Sequence, residues 1–180
     1  MMDRPLLLLD VDGPLNPFRS RLAGLHGYTT HRMHPALWMA RRAPDSPSAR
    51  RGLRVRLHPT HGPRLQALPF ELAWATTWMH QANTMISPHI GLPGDLPVIE
   101  WPELFAHDPD GLYWKTRPLL EWAAGRPFAW VDDMITAKDR AWARAHYPAP
   151  SLLLRIRPRH GLRARDFTTL TRWAASLPGT

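Results

Sequence analysis

Residues 6–16 read Leu6-Leu7-Leu8-Leu9-Asp10-Val11-Asp12-Gly13-Pro14-Leu15-Asn16, and this stretch decides the fold. Four consecutive leucines suit a strand buried on both faces, as in a parallel sheet, where continuous apolar runs replace the alternation of a half-exposed strand. The run stops on two aspartates with a glycine and a proline directly behind them. A strand that ends in carboxylates presents them at its carboxyl edge, where open α/β sheets bind ligands. Asp10 and Asp12 are two residues apart and so share one face of a regular strand. Gly13 lets the backbone leave that strand sharply.

Outward from this stretch, three more apolar runs read as strands: Glu71–Trp78, which ends on hydroxyls, Phe128–Asp133, which ends on carboxylates, and Ser151–Ile156. Helical spacing lies between and after them, at Pro63–Leu68, His80–Met85, Pro118–Ala124, Thr136–His146 and Arg165–Ser176. Pro118 suits a first turn, Gly125 a stop and Asp166 an N-cap. Strands alternating with helices imply crossover connections and a mainly parallel sheet covered on both faces. Leu53–Leu57 alternates apolar and basic residues, as a short half-exposed strand does. Pro17–Tyr28 reads as loop or hairpin, and His31–Trp38 is mixed. Residues 87–102 hold four prolines and two glycines; they read as loop, with room for a short strand over 97–100. Arg41–Arg51 sets prolines and serines among arginines, and reads as an exposed, mobile loop. It is a candidate contact for a polyanion, although a solvated loop is the plainer reading.

The chain has 180 residues, 44% of them hydrophobic, with nine tryptophans. That fits one packed α/β domain over residues 1–180, and no linker or internal repeat divides it. The chain has no cysteine, which removes disulfide frameworks and thiolate metal sites. The leucine run is too short for a membrane span, no secretory leader is visible, and the cytoplasm is the expected compartment. The formal charge is +8, but only Lys115 and Lys138 of the 23 basic residues are lysines. Arginine-rich codon usage accounts for this as readily as an anionic partner does.

The residues at the strand ends suit phosphoryl transfer through an aspartate. A carboxylate nucleophile, for which Asp10 is the candidate, splits one difficult displacement into two easier ones. A second acid, for which Asp12 fits, must protonate the leaving oxygen and then activate water. Asp132 and Asp133 join Asp10 as candidates to hold a hard cation, most plausibly Mg²⁺, which prefers oxygen ligands; Asp12 belongs to the same acidic set. Thr76 and Lys115 would hold the phosphoryl group, the lysine through its charge.

In order and spacing these residues resemble the four motifs of the haloacid dehalogenase-like superfamily. Motif I is Asp10-Val11-Asp12-Gly13, motif II the strand ending at Thr76, motif III Lys115 just before a helix, and motif IV Asp132-Asp133. The resemblance covers nearly the whole chain. It implies a Rossmann-like three-layer sandwich and, because Asp12 carries the acid that the dehalogenases lack, a phosphatase. The spacings between motifs leave little or no room for a cap domain, which implies an open site that admits large substrates. A narrower resemblance rests on Asp-Val-Asp-Gly-x-Leu-Asn-Pro, on Trp74-Ala75-Thr76-Thr77-Trp78, on His80 and Asn83, and on Gly91-Leu92-Pro93. It is to the domains of this superfamily named for the "Swiss Army Knife" RNA-repair proteins, and it implies phosphate removal at RNA ends; a DNA end or a small phosphomonoester is the alternative substrate.

Thr77, His80 and Asn83 are the candidate substrate contacts, with local packing and capping as the alternative for the last two. Trp78 or Trp114 could line the site and stack on a base; the other tryptophans read as core. His58 and His61 have a spacing open to metal ligation, but no second ligand pair follows, and they read as surface histidines. Asp108 and Asp110 read as turn residues. The rival to an enzyme is a binding protein of the same fold with little turnover, holding RNA or a partner on its basic surface.

Overall fold

A computed structural model of the chain describes residues 4–178. Its strands are β1 (Leu6–Leu9), β2 (Thr29–Met33), β3 (Leu53–Leu57), β4 (Glu71–Trp74), β5 (Phe128–Asp132) and β6 (Ser151–Arg155). Its α-helices are α1 (Ala36–Met39), α2 (Pro47–Arg51), α3 (His61–Gln66), α4 (Ser87–Ile90), α5 (Thr116–Ala123), α6 (Ala137–His146) and α7 (Ala164–Ala175). Four strands form a parallel sheet in the order β4-β1-β5-β6, and β2 pairs with β3 in a separate antiparallel ribbon. Leu9 lies in register with Trp74 on one side and Val131 on the other. This is an α/β fold with helices flanking an all-parallel sheet, compatible with a Rossmann-like arrangement.

The leucine run is buried throughout, and alternate leucines serve opposite faces, as strand geometry requires. Leu7 and Leu9 join a core with Trp74, Ile86, Ile90, Phe167 and Leu170, under α4 and α7. Leu6 and Leu8 join a second core with Trp130, Leu119 and Ala143, under α5 and α6. Val98 bridges to Trp74 outside β4: Ile99 N–H donates to the Trp74 carbonyl and Trp74 N–H to that of Pro97, at 2.9 and 2.8 Å. The short strand expected over 97–100 is thus a single bridge. From β1 the chain runs outward through β4 to Val98, then returns to β5 on the other side of β1. The order reverses between β1 and β5, and such a switch point opens a crevice at the carboxyl ends of the strands.

Several expected elements differ. Residues 41–51 hold α2 rather than a featureless loop: Ser46 accepts from the Ala49 N–H at 3.2 Å and Pro47 occupies the first turn, a start that serine and proline favour. Strand β4 ends at Trp74, and residues 75–78 turn away. The helix expected at His80–Met85 is a π-turn over Ala82–Ile86 that runs into α4, inside the stretch read as loop. His61 is buried at 2% exposure, not on the surface, because it opens α3 beneath the chain that leads into α7. Among the described residues no helix is long and apolar enough to cross a membrane.

Candidate active site

The crevice collects the acidic residues from two adjacent strand ends. Asp10 follows β1 directly, and its N–H donates to the Val131 carbonyl at 3.0 Å. Asp132 ends β5 and Asp133 follows it. Gly13, with φ of +98°, lies against Asp133 and turns the chain away from β1. One oxygen from each of Asp10, Asp132 and Asp133 falls within 4.8 Å of the others. Asp132 Oδ1 also accepts from Met134 N–H at 2.8 Å, and Arg155 Nε donates to the Asp133 carbonyl at 2.9 Å. These contacts fix the turn that carries both carboxylates.

Lys115 lies immediately before α5 and is 1% exposed. Its ammonium donates to Asp132 Oδ2 at 2.9 Å and to the Ala75 carbonyl at 2.8 Å, and it lies 3.1 Å from Asp10 Oδ1. An ammonium has three hydrogens, and these three contacts account for them. The rings of Trp101, Tyr113 and Trp114 surround it, with centroids 5.7–5.8 Å from Nζ. Asp139 holds this segment in place: its Oδ1 accepts from Tyr113 N–H and Thr116 Oγ1, both at 2.8 Å, while its Oδ2 accepts from Thr136.

The site carries more negative than positive charge. Burial pushes the Asp10 carboxyl well above the usual range; Lys115 opposes that shift, and Asp132 and Asp12 reinforce it. Asp133 is pushed up to about 6, first by burial and then by Asp132. Burial disfavours the charged form of Lys115, but Asp10 and Asp132 outweigh it and hold the ammonium above the ordinary lysine range. Three converging carboxylates with one lysine suit a hard divalent cation, which would favour their ionised forms.

Asp12 does not join this cluster. Its Oδ1 accepts from Asn16 Nδ2 at 2.8 Å and its Oδ2 from Trp78 Nε1 at 2.9 Å, and its side chain lies outside the three-carboxylate group. It faces a cleft of about 420 Å³ instead, with Thr77 and Trp78 on one wall and Trp38, Arg41 and Arg42 on another. Arg42 lies 3.5 Å over the Trp38 ring and Arg41 4.8 Å over Phe105, which also lines the cleft. The ribbon of β2 and β3 with α1 thus supplies a side wall.

Thr76 is fully buried, two residues beyond β4; its Oγ1 accepts from Trp78 N–H at 3.3 Å and its carbonyl from Trp101 Nε1 at 3.1 Å. Thr77 reaches the cleft, but His80 and Asn83 do not line it. His80 is exposed and pairs with Glu100. Asn83 Oδ1 accepts from Trp74 Nε1 at 2.9 Å and Leu96 N–H at 3.2 Å, and its Nδ2 donates to the Leu96 carbonyl at 2.8 Å. Both therefore have the local contacts that the alternative reading expected. Trp114 packs beside Lys115, and Trp78 lines the cleft. Asp108 and Asp110 are turn residues as expected, and both also pair with Arg117. Sequence reading missed Asp139 and Asn16. Asp139 was findable, since Thr136-x-x-Asp139 is a capping-box pattern; Asn16 stood in the quoted Asp-Val-Asp-Gly-x-Leu-Asn-Pro stretch, but nothing in that stretch marked it as the partner of Asp12. No protein-family model, curated protein or solved structure matches this chain.

Proposed function

We propose that the protein is a phosphatase of the haloacid dehalogenase-like type, acting through a phosphoryl group carried on Asp10. The observation that carries this reading is the convergence of Asp10, Asp132 and Asp133 around the buried Lys115 at the switch point, with Asp12 turned toward the cleft. Phosphoryl transfer is mainly a matter of positioning and charge stabilisation, and these residues supply both. An Asp10 oxygen attacks phosphorus, the ester P–O bond breaks, and the leaving oxygen takes a proton from Asp12. Water then gives a proton to Asp12 and attacks phosphorus, the bond to Asp10 breaks, and inorganic phosphate leaves. Asn16 and Trp78 orient Asp12 for both transfers. Lys115 favours the ionised form of Asp10 against the burial that disfavours it, and lowers the repulsion that an incoming phosphate meets.

Asp10, Asp132 and Asp133 would hold Mg²⁺, which supplies positive charge against the phosphate oxygens. Lys115 already satisfies its three hydrogens within the protein, so it supports the site through charge rather than as a free phosphate clamp. The cleft beside Asp12 favours a substrate with a flat, apolar portion and a second anionic group: Trp38 and Phe105 suit base stacking, and Arg41 and Arg42 suit phosphate. A nucleic-acid end phosphate, RNA first, fits that description.

The test is Mg²⁺-dependent phosphate release by the wild type beside Asp10→Asn. The panel holds an aryl phosphate, nucleotides, and RNA and DNA oligomers phosphorylated at either end. Release by the wild type alone, greatest with end-phosphorylated oligomers, is the expected outcome. Preference for nucleotides or the aryl phosphate would overturn the nucleic-acid assignment. No release at all from a folded protein would overturn the phosphatase and favour a binding protein.

A further inference from the structure

A larger cavity, of about 910 Å³, shares no lining residue with the cleft at Asp12. Three segments wall it: residues 19–28 after the first strand, His58 with the start of α3, and residues 159–164 leading into α7. Its volume is in the range of small-molecule sites.

The charge of this cavity is one-sided. Arg19, Arg21, Arg64, Arg159 and Arg163 line it, and no aspartate or glutamate does. None of the five forms an ion pair within 4.0 Å among the described residues. Asp166 is the acid nearest in the chain, and it accepts from the Arg163 N–H at 2.8 Å as the cap of α7. Arg19, Arg21, Arg159 and Arg163 are exposed and Arg64 is half-buried, so their guanidiniums are free to take an incoming anion, and their planar fork matches phosphate oxygens two at a time.

Its polar groups are also incomplete. The rings of His58 and His61 stack with centroids 4.8 Å apart, and Tyr28 meets both edge-on at 5.2 and 5.6 Å. Tyr28 Oη, His61 Nδ1 and His160 Nδ1 are buried without a hydrogen-bond partner, three of six such side-chain atoms among the described residues. Buried polar atoms are normally satisfied by protein, water or ligand, and here half of the exceptions gather around one cavity. His61 itself is 2% exposed. Among the described residues, the group of three or more such side chains close enough to share a metal ion is Asp10, Asp132 and Asp133, and these histidines are not in it.

We propose that this cavity, walled by five arginines and by Tyr28, His58, His61 and His160, is a second site that binds a multiply phosphorylated anion. The phosphates would come from a nucleoside polyphosphate or from a stretch of nucleic-acid backbone. Either presents several phosphate groups at once, as five guanidiniums require, where one carboxylate would leave most of them unpaired. The site stands apart from the phosphatase reading, because no residue assigned to that chemistry lines it.

Calorimetric titration in EDTA, which leaves the acidic cluster without metal, tests this with three probes: inorganic tripolyphosphate, ATP, and a single-stranded oligoribonucleotide with hydroxyl ends. At least one probe is expected to bind, with affinity that falls as salt rises. Arg21→Glu with Arg159→Glu, both at exposed positions, is expected to weaken it tenfold or more. Asp10→Asn is expected to leave it within twofold. Tripolyphosphate and ATP binding without the oligomer identifies a small polyphosphate; the reverse identifies a nucleic-acid backbone. Thermal melting checks that the double variant folds, and Arg21→Ala alone replaces it if it does not. No binding by any probe, or binding that ignores the arginine changes, would overturn the proposal. Because Asp10→Asn removes phosphate release but not this binding, the two readings fail separately.

Discussion

Gly13 packs so closely on Asp133 that a Cβ at position 13 would lie 2.6 Å from the Asp133 Cβ and 2.7 Å from its Cγ. The turns that follow β1 and β5 are therefore fitted closely to each other. Gly13 has φ of +98°, which L side chains rarely adopt.

Gly13→Ala is expected to cost about 1–3 kcal/mol in backbone strain and to displace Asp133 from the cluster. Metal-dependent phosphate release should fall well beyond what the change in melting temperature explains. Gly24→Ala is the control, since a Cβ there meets nothing within 4 Å. Equal activities in the two variants would mean that Asp133 needs no fixed position.

Lys115→Met removes the cation that lies between Asp10 and Asp132 while keeping much of the side-chain volume. Breaking a buried pair leaves carboxylates uncompensated, at a cost of about 3–5 kcal/mol. Denaturant unfolding near pH 7.5 should show this loss, and millimolar Mg²⁺ should return part of it if the three carboxylates hold metal. Unchanged stability without metal would show that the carboxylates are already protonated and that Lys115 is not their charge partner.

The strand ends were legible because burial and chemistry coincide there: an unbroken apolar run marks a strand with two covered faces, and the acids behind Leu9 and Val131 mark its edge. Lys115 was legible as a lysine before a helix, but its environment was not. Its three contacts come from Asp10, Ala75 and Asp132, which the chain brings together only after the sheet has formed. The burial of His61 had no periodic signal either. Its ring meets those of Tyr28, His58 and Phe167, contacts between distant segments that no local pattern records. For His80 and Asn83 the two readings, substrate contact or local packing, could not be separated from spacing alone, because the π-turn at Ala82–Ile86 departs from regular helical spacing.

Asn83→Ala separates the structural role of this residue from a substrate role. It leaves Trp74 Nε1 and the Leu96 backbone without their partner, and unsatisfied buried groups cost about 1–3 kcal/mol. The variant should unfold at lower denaturant while its KM and kcat, measured well below the melting transition, stay near wild type. A rise in KM with unchanged stability would return Asn83 to the substrate site.

His61 should make the protein sensitive to acid. Burial, then His58 and Arg64, lower its pKa to about 3, from the 6.5 of a free side chain. Between these values the unfolded chain binds the proton and the folded chain does not, so stability falls as pH drops below about 6.5 and goes on falling toward pH 3. The contribution is fully present above pH 6.5. A slope of up to 1.4 kcal/mol per pH unit follows, or about 2 kcal/mol between pH 7 and pH 5. His61→Leu removes the titrating ring, so urea unfolding of both proteins across this range should show the gap moving in favour of the variant by about that amount. A gap that stays constant with pH would mean that the His61 ring takes up its proton in the folded state, in contact with water.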